Sequence, residues 1–325
     1  MKRTPSFHFR LRFAFILLCG LASLGAACGG GGSTTDAAIL DSAVGQEAAG
    51  PPLPYCTAKS ATTGVTDLSG TWVVRMLGAQ VVTPPIGKPI YPKNVFYQLV
   101  TISQKGTEVV VDGRYCDRAE INPPDALVPV IIPDAWAHTE KPVHRTGSFA
   151  AGADGIPVLN LLPYVELAGV LPSCTDSLPT TTANTQCVFD EDGDGYPGIT
   201  VVLRGQSFAG SLYSVQQQIT SVSAIVVAPD RVEGSLAFVS LQNILASSDV
   251  NITALYAKAT TTTDPAACTS TFAMVRILGA PAWDGGAADG GDIDGGPGID
   301  GGPGIDGGGA VSCQWVRDNE ALLFP

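Results

Sequence analysis

The chain has 325 residues, a formal net charge of −12 and a hydrophobic fraction of 45%. That apolar content can fill a core, which excludes a wholly disordered chain, and the acidic balance argues against a nucleic-acid partner, because phosphate binding needs clustered Lys and Arg. Charged residues make up only 15% while Gly (38) and Pro (24) are abundant, which disfavours long salt-bridged helices.

The first twelve residues carry Lys2, Arg3, Arg10 and Arg12 and no acid, and Phe13 to Ala27 carries no charge. Without these 27 residues, 14 basic groups face 30 acidic ones, a net of −16. The apolar run is too short for a membrane span and ends in Leu24-Gly25-Ala26-Ala27-Cys28. A basic start, a short apolar stretch and small residues describe a secretory signal peptide over residues 1–27. With Cys28 directly after the small residues, the segment resembles a bacterial lipoprotein signal, although Leu24 lies one place further from the Cys than is usual. The resemblance implies a lipid on Cys28, which becomes the mature N-terminus and a membrane attachment. No Asp follows Cys28, which in Gram-negative lipoproteins implies the outer membrane. Residues 28–55, opening on Gly29-Gly-Gly-Gly-Ser33, read as a flexible tether.

From Cys56 to Trp283 the chain is rich in Val, Ile, Thr and aromatics, in short runs bounded by Gly, Pro, Asn and Asp. Strands are predicted at 71–77, 96–104, 108–115, 128–132, 157–162, 200–204, 212–227, 231–239, 250–258 and 271–278. Lys105-Gly106 marks a hairpin between the second and third. The polar Gln216-Gln-Gln is a place where the long run 212–227 can break in two. No stretch sustains a helical period. The expected fold is mainly β, a single β-barrel or β-sandwich domain over 56–283, with long loops and a final strand in 310–325.

The first strand opens on Asp67-Leu-Ser-Gly70-Thr-Trp72. Gly-x-Trp at this place is similar to lipocalin-like barrels. That resemblance implies a Trp closing one barrel end, crossed by a late Arg, for which Arg317 is the expected residue.

Six cysteines remain in the exported chain: Cys56, Cys116, Cys174, Cys187, Cys268 and Cys313. An even count reads as three disulfides among fifteen possible pairings. Proximity favours Cys174–Cys187, and sequence order then suggests Cys56–Cys116 and Cys268–Cys313. No pair has CxxC spacing, which disfavours a redox motif or a zinc site.

Catalytic signals are sparse. His138 and His144 stand with Asp134 and Glu140 around Pro142, without a zinc-protease, nucleophile-elbow or phosphate-loop motif. No catalytic residue is assigned. A hydrolase site assembled from distant loops is kept as an alternative.

The sharpest local pattern is Asp190-Glu191-Asp192-Gly193-Asp194-Gly195-Tyr196. Asp190, Asp192 and Asp194, spaced by two and followed by Gly195, resemble the opening of an EF-hand calcium loop and the shorter Asp-rich calcium repeats of extracellular β proteins. A loop curling round a hard cation turns alternate side chains inward, and the residue after the Gly offers its carbonyl, here Tyr196. The Glu of a full EF-hand is missing, because Val201 holds that place. Asp176 is a candidate to complete the shell. The cofactor expected is one structural calcium ion.

Residues 284–309 contain 13 Gly, six Asp and a six-residue Ile-Asp-Gly-Gly-Pro-Gly repeat. They read as a disordered insertion. The repeat also resembles a calcium β-roll, but its period of six departs from nine. The chain therefore reads as a lipid-anchored cell-envelope β protein that binds an unknown protein or small-molecule ligand. A lipocalin-like carrier of a small apolar ligand is the first alternative.

Overall fold

The computed structural model describes residues 55–83, 88–124, 126, 129–138, 141–152, 154–174, 177–205, 209–249, 260–277 and 311–325. The signal peptide, Cys28, the tether, the expected strand at 250–258 and the Gly/Asp-rich insertion lie outside the described residues.

The strands are β1 (Gly70–Thr83), β2 (Lys93–Lys105), β3 (Glu108–Ile121), β4 (Val130–Ile131), β5 (Pro142–Ala151), β6 (Pro157–Ala168), β7 (Ile199–Arg204), β8 (Ala209–Ala228), β9 (Arg231–Ser247), β10 (Thr260–Thr263) and β11 (Thr271–Arg276). They form one antiparallel sheet in the order β4-β7-β8-β6-β5-β3-β2-β1-β11-β9, with β10 off this path on β1, and β8 also pairs with β9. That last pairing closes a ring of eight: β1, β2, β3, β5, β6, β8, β9 and β11. These are consecutive apart from β4, β7 and β10, so the ring is an up-and-down barrel. Closure removes the exposed edges that an open sheet would have to protect.

β8 organises the ring. Its C-terminal half, Gln216–Ile225, pairs with β6, while its N-terminal end, Ala209–Ser214, pairs with β7 on the same edge. The polar Gln216–Gln218 does not break it. The strand runs 20 residues because all three glutamines are buried between neighbours. β7 thus continues the line of β6 past the barrel, and β4 adds two residues to its outer edge.

Period-two alternation fills the interior. Trp72, Val74 and Met76 of β1, Phe96, Val100 and Ile102 of β2, and Val222, Ala224 and Val226 of β8 belong to one buried cluster. Trp72 is fully buried, and its indole N–H donates to the Leu68 carbonyl at 2.8 Å. A second apolar layer lies outside, where Val73, Leu99 and Ala273 meet Val316 and Phe324 of the C-terminal segment.

That segment is helical, not the final strand expected for 310–325. It forms α2 (Cys313–Asp318) and α3 (Glu320–Leu323), after α1 (Asp134–Ala137) earlier in the chain. The Ser312 hydroxyl accepts a hydrogen bond from the Trp315 N–H, which caps α2, and Cys313 and Val316, three apart, share its buried face.

Two expected disulfides are also corrected. The pairs are Cys56–Cys268, Cys116–Cys313 and Cys174–Cys187. Ring closure places β11 beside β1, so the chain before β1 meets the β10–β11 connection. The helical C-terminus folds back over β2 and β3. Order along the sequence therefore misleads for the two long-range bridges, and proximity succeeds for the local one.

β5 escaped prediction because its inward positions include Arg145 and Gly147 among the apolar ones. β10 escaped because it is four threonines.

Candidate functional site

The Asp-rich loop joins the end of β6 to the start of β7. The carboxylates of Asp190, Asp192 and Asp194 come within 4.8 Å of one another, so the triad can hold a metal ion. Each is also placed by the loop backbone. Asp190 accepts from the N–H groups of Gly193 (2.8 Å), Asp194 (3.2 Å) and Gly195 (2.8 Å). Asp194 accepts from the Tyr196 N–H at 2.9 Å and the Thr200 hydroxyl at 2.5 Å. Asp192 Oδ2 accepts from the Thr200 N–H at 2.8 Å, while Asp192 Oδ1 is buried without a hydrogen-bond partner. Burial first, and the charge of Asp194 after it, raise the Asp192 carboxyl above its ordinary value. A cation would relieve both.

Glycine makes the loop possible. Gly169 (φ 68°) and Gly198 (φ 94°) lie against each other, and a Cβ on Gly198 would sit 2.3 Å from the Ser214 carbonyl oxygen. The neighbouring carboxylate, Glu191, turns away from the triad. It accepts from the Gly169 N–H at 2.6 Å and pairs with Lys141 at 2.5 Å, fastening the loop to the barrel. Tyr196 adjoins the triad through its N–H to Asp194, and its ring stacks on Tyr213 at 4.3 Å. Val201 is a buried residue of β7 that packs with Leu203 and Leu212. Asp176 lies outside the described residues.

The histidines do not converge on a nucleophile. His138 lies 3.6 Å from Asp117 and His144 lies 2.6 Å from Asp112, and both histidines are exposed. Glu140 lies outside the described residues.

The sequence reading missed the interior of the barrel. At the Trp72 end most inward residues are apolar, and Arg276 lies over the Trp72 ring at 4.7 Å. Arg276 pairs directly with Trp72 across β11 and β1. Arg317 does not reach this Trp; it donates to the carbonyl of Cys116 and to Gln314.

From the middle of the barrel toward the other end the same inward parity also carries polar residues: Gln98, Arg145 and Thr220, and then Gln80, Arg118, Glu166, Gln216 and Gln218, are all buried. Arg118 and Glu166 form an ion pair, with the guanidinium against the rings of Tyr115 (4.4 Å), Trp136 of α1 (5.3 Å) and Phe96 (5.7 Å). Burial, and then the charge of Glu166, push the Tyr115 hydroxyl well above its usual value. Burial alone raises Glu120, one alternation beyond Arg118, to about 7. The signal available in the sequence was a charged residue at an inward place of an otherwise apolar alternation.

No protein-family model matches this chain, and neither a curated protein nor a solved structure resembles it at a significant level.

Proposed function

We propose that this chain is a lipid-anchored cell-envelope protein that binds a small molecule in its barrel, with a structural calcium ion in the Asp190–Asp194 loop at the mouth. One observation carries the reading. The ring of eight strands is closed, apolar at the Trp72 end and polar toward the loop. An eight-stranded barrel has an interior of the size that side chains fill or one small ligand occupies. The likeness of Gly70-Thr-Trp72 to lipocalin-like barrels gains support from the up-and-down order and from Arg276 over Trp72. The histidine pairs, each exposed and with one aspartate, favour a binding protein over the hydrolase alternative.

The chemistry of the loop favours calcium. Its donors are carboxylate oxygens with no sulfur or imidazole, a set suited to hard cations. A single short loop of this kind binds with Kd of about 10⁻⁴–10⁻³ M. Two of its aspartates hold Thr200, the second residue of β7, so the ion braces the corner between β6, β7 and β8.

The test is fluorescence titration of the detergent-solubilised full chain with Nile red, an uncharged apolar dye. Saturable binding supports the barrel reading, and folded protein that takes up neither the dye nor a short carboxylic acid contradicts it. Fractionation of cells carrying Cys28→Ala tests the anchor. The variant should leave the membrane fraction, and retention there would refute lipidation at Cys28.

A further inference from the structure

We infer that the polar half of the barrel is a binding site for a small monocarboxylate, received by Arg145 together with Arg118, Gln98 and Thr220. The inference rests on the small-molecule reading above and names its ligand class.

Arg145 is a cation buried inside a protein of strong net negative charge, only 3% exposed. From β5 it crosses the lumen to the Met76 sulfur of β1 at 3.7 Å, and it donates to the carbonyls of Thr220 (3.0 Å) and Leu162 (3.4 Å). The Tyr164 ring lies 5.5 Å from its guanidinium. Among the described residues no carboxylate lies within ion-pairing distance of it, and its Nε has no hydrogen-bond partner. Burying a cation without a counter-ion is costly, and an anion in reach removes that cost.

The surrounding groups share one deficit. Arg118 meets Glu166 through Nη2, leaving Nε and Nη1 without partners, and the Gln98 and Gln80 amide nitrogens are likewise buried and unpartnered. All of these are donors. The Thr220 hydroxyl, also unpartnered, can donate as well. Strand parity points all five side chains inward with the core cluster.

The charge balance fixes the class of ligand. Two guanidinium groups face the single carboxylate of Glu166, while Lys141 and Glu191 pair with each other at the rim. Glu120, raised to about 7 by burial, is only partly charged near neutral pH. Among the described residues the balance is positive, by up to one charge when Glu120 is protonated, which suits a monoanion that accepts hydrogen bonds and donates none. A carboxylate has that chemistry; a cation, an alcohol or a phosphate dianion does not. Met76 and Phe96, which pair with each other, and Phe238, which pairs with Thr220, lie in the buried interior among these groups and suit a short alkyl chain. The groups are each less than a tenth exposed, so the occupant is small.

The test is calorimetric titration of the detergent-solubilised full chain with butanoate, hexanoate and octanoate, and with the matching primary alcohols at equal ionic strength. Arg145→Met, which keeps length and removes charge, and Gln98→Glu, which adds an anion to the site, are titrated beside it. The expected result is binding of the acids alone, weakened at least about tenfold by either variant. Near-ultraviolet circular dichroism reports whether each variant is folded, and if Arg145→Met is not, Gln98→Glu decides. Acids and alcohols binding alike, or acid binding indifferent to both substitutions, overturns the anion site. Nile red separates the two levels. Dye uptake without acid binding removes the carboxylate proposal and leaves a carrier of neutral ligands, and failure of both removes the small-molecule reading as well.

Discussion

Replacing Glu166 by Gln keeps the shape of the side chain and removes its charge. In the native barrel that carboxylate faces Arg118, with the two side chains 7% and 1% exposed, and its charge acts on the buried Tyr115 hydroxyl. Solvent cannot compensate at this depth, so the exposed-pair figure of a fraction of a kcal/mol does not apply. Removing one member of a buried pair leaves the other charged and alone, which costs about 3–5 kcal/mol. Here Arg145 loses the influence of the same anion, which places Glu166→Gln toward the upper part of that range. For a domain of this size each kcal/mol moves the melting temperature by about 2–4 °C, so the expected loss is roughly 6–20 °C. The assay is thermal and urea unfolding followed by circular dichroism. The double variant Arg118→Met/Glu166→Leu removes both charges and should recover at least half of the loss, because a hydrophobic pair of similar volume is often no less stable than a buried ion pair. A single-variant cost below about 1 kcal/mol, or simple additivity in the double variant, would refute the view that uncompensated charge inside the barrel dominates.

Further outcomes follow from the loop and from the titrating groups. Millimolar calcium should raise the melting temperature of the native chain relative to chelator, and Asp192→Ala should abolish that rise; an equal rise in the variant would move the ion elsewhere. Gly198→Ala should destabilise by about 1–3 kcal/mol, since φ is 94° and the new Cβ would meet the Ser214 carbonyl oxygen at 2.3 Å; a neutral result in urea unfolding would show that the loop relaxes freely. Hydrogen bonds from Lys59, Thr57 and Arg231 overcome the burial of Glu233 and hold its carboxyl at about 2, so its contribution to stability is full above about 4.5 and is lost as pH falls toward 2. Burial raises Glu120 to about 7, and burial with the charge of Asp117 raises Glu320 to about 7. These two favour the folded state most below about 4.5, and stability should decline as pH rises from there through 7. Urea unfolding against pH checks both limbs, and the upper one should flatten in the combined variant Glu120→Gln/Glu320→Gln.

Much of the barrel wall was legible because a strand with one buried face must alternate. The hairpin at Gly106 was legible because Lys105 and Glu108 pair across a turn whose Gly adopts a φ of 61°. The gathering of Asp190, Asp192 and Asp194 was legible for the same kind of reason, as spacing by two in a curling loop points side chains to one centre. Features that depend on closure were not. Nothing local says that Cys56 will meet Cys268, because that contact exists only once β11 lies beside β1. The same closure selects Arg276, not Arg317, to cover Trp72. At the C-terminus, alternation over Val311–Val316 suggested a strand, and the Ser312 cap decided for a helix. The interior charges were hidden because Arg118, Arg145 and Glu166 look like ordinary surface residues until strand parity turns them inward.

The most direct test of the binding reading is native mass spectrometry of the full chain, extracted in mild detergent from the membranes of a Gram-negative host and compared with the same sample after denaturation. The account predicts one small acidic molecule held per folded chain, released on unfolding and lost in Arg145→Met. A folded chain that carries no such molecule, and acquires none when short monocarboxylates are added, would contradict it.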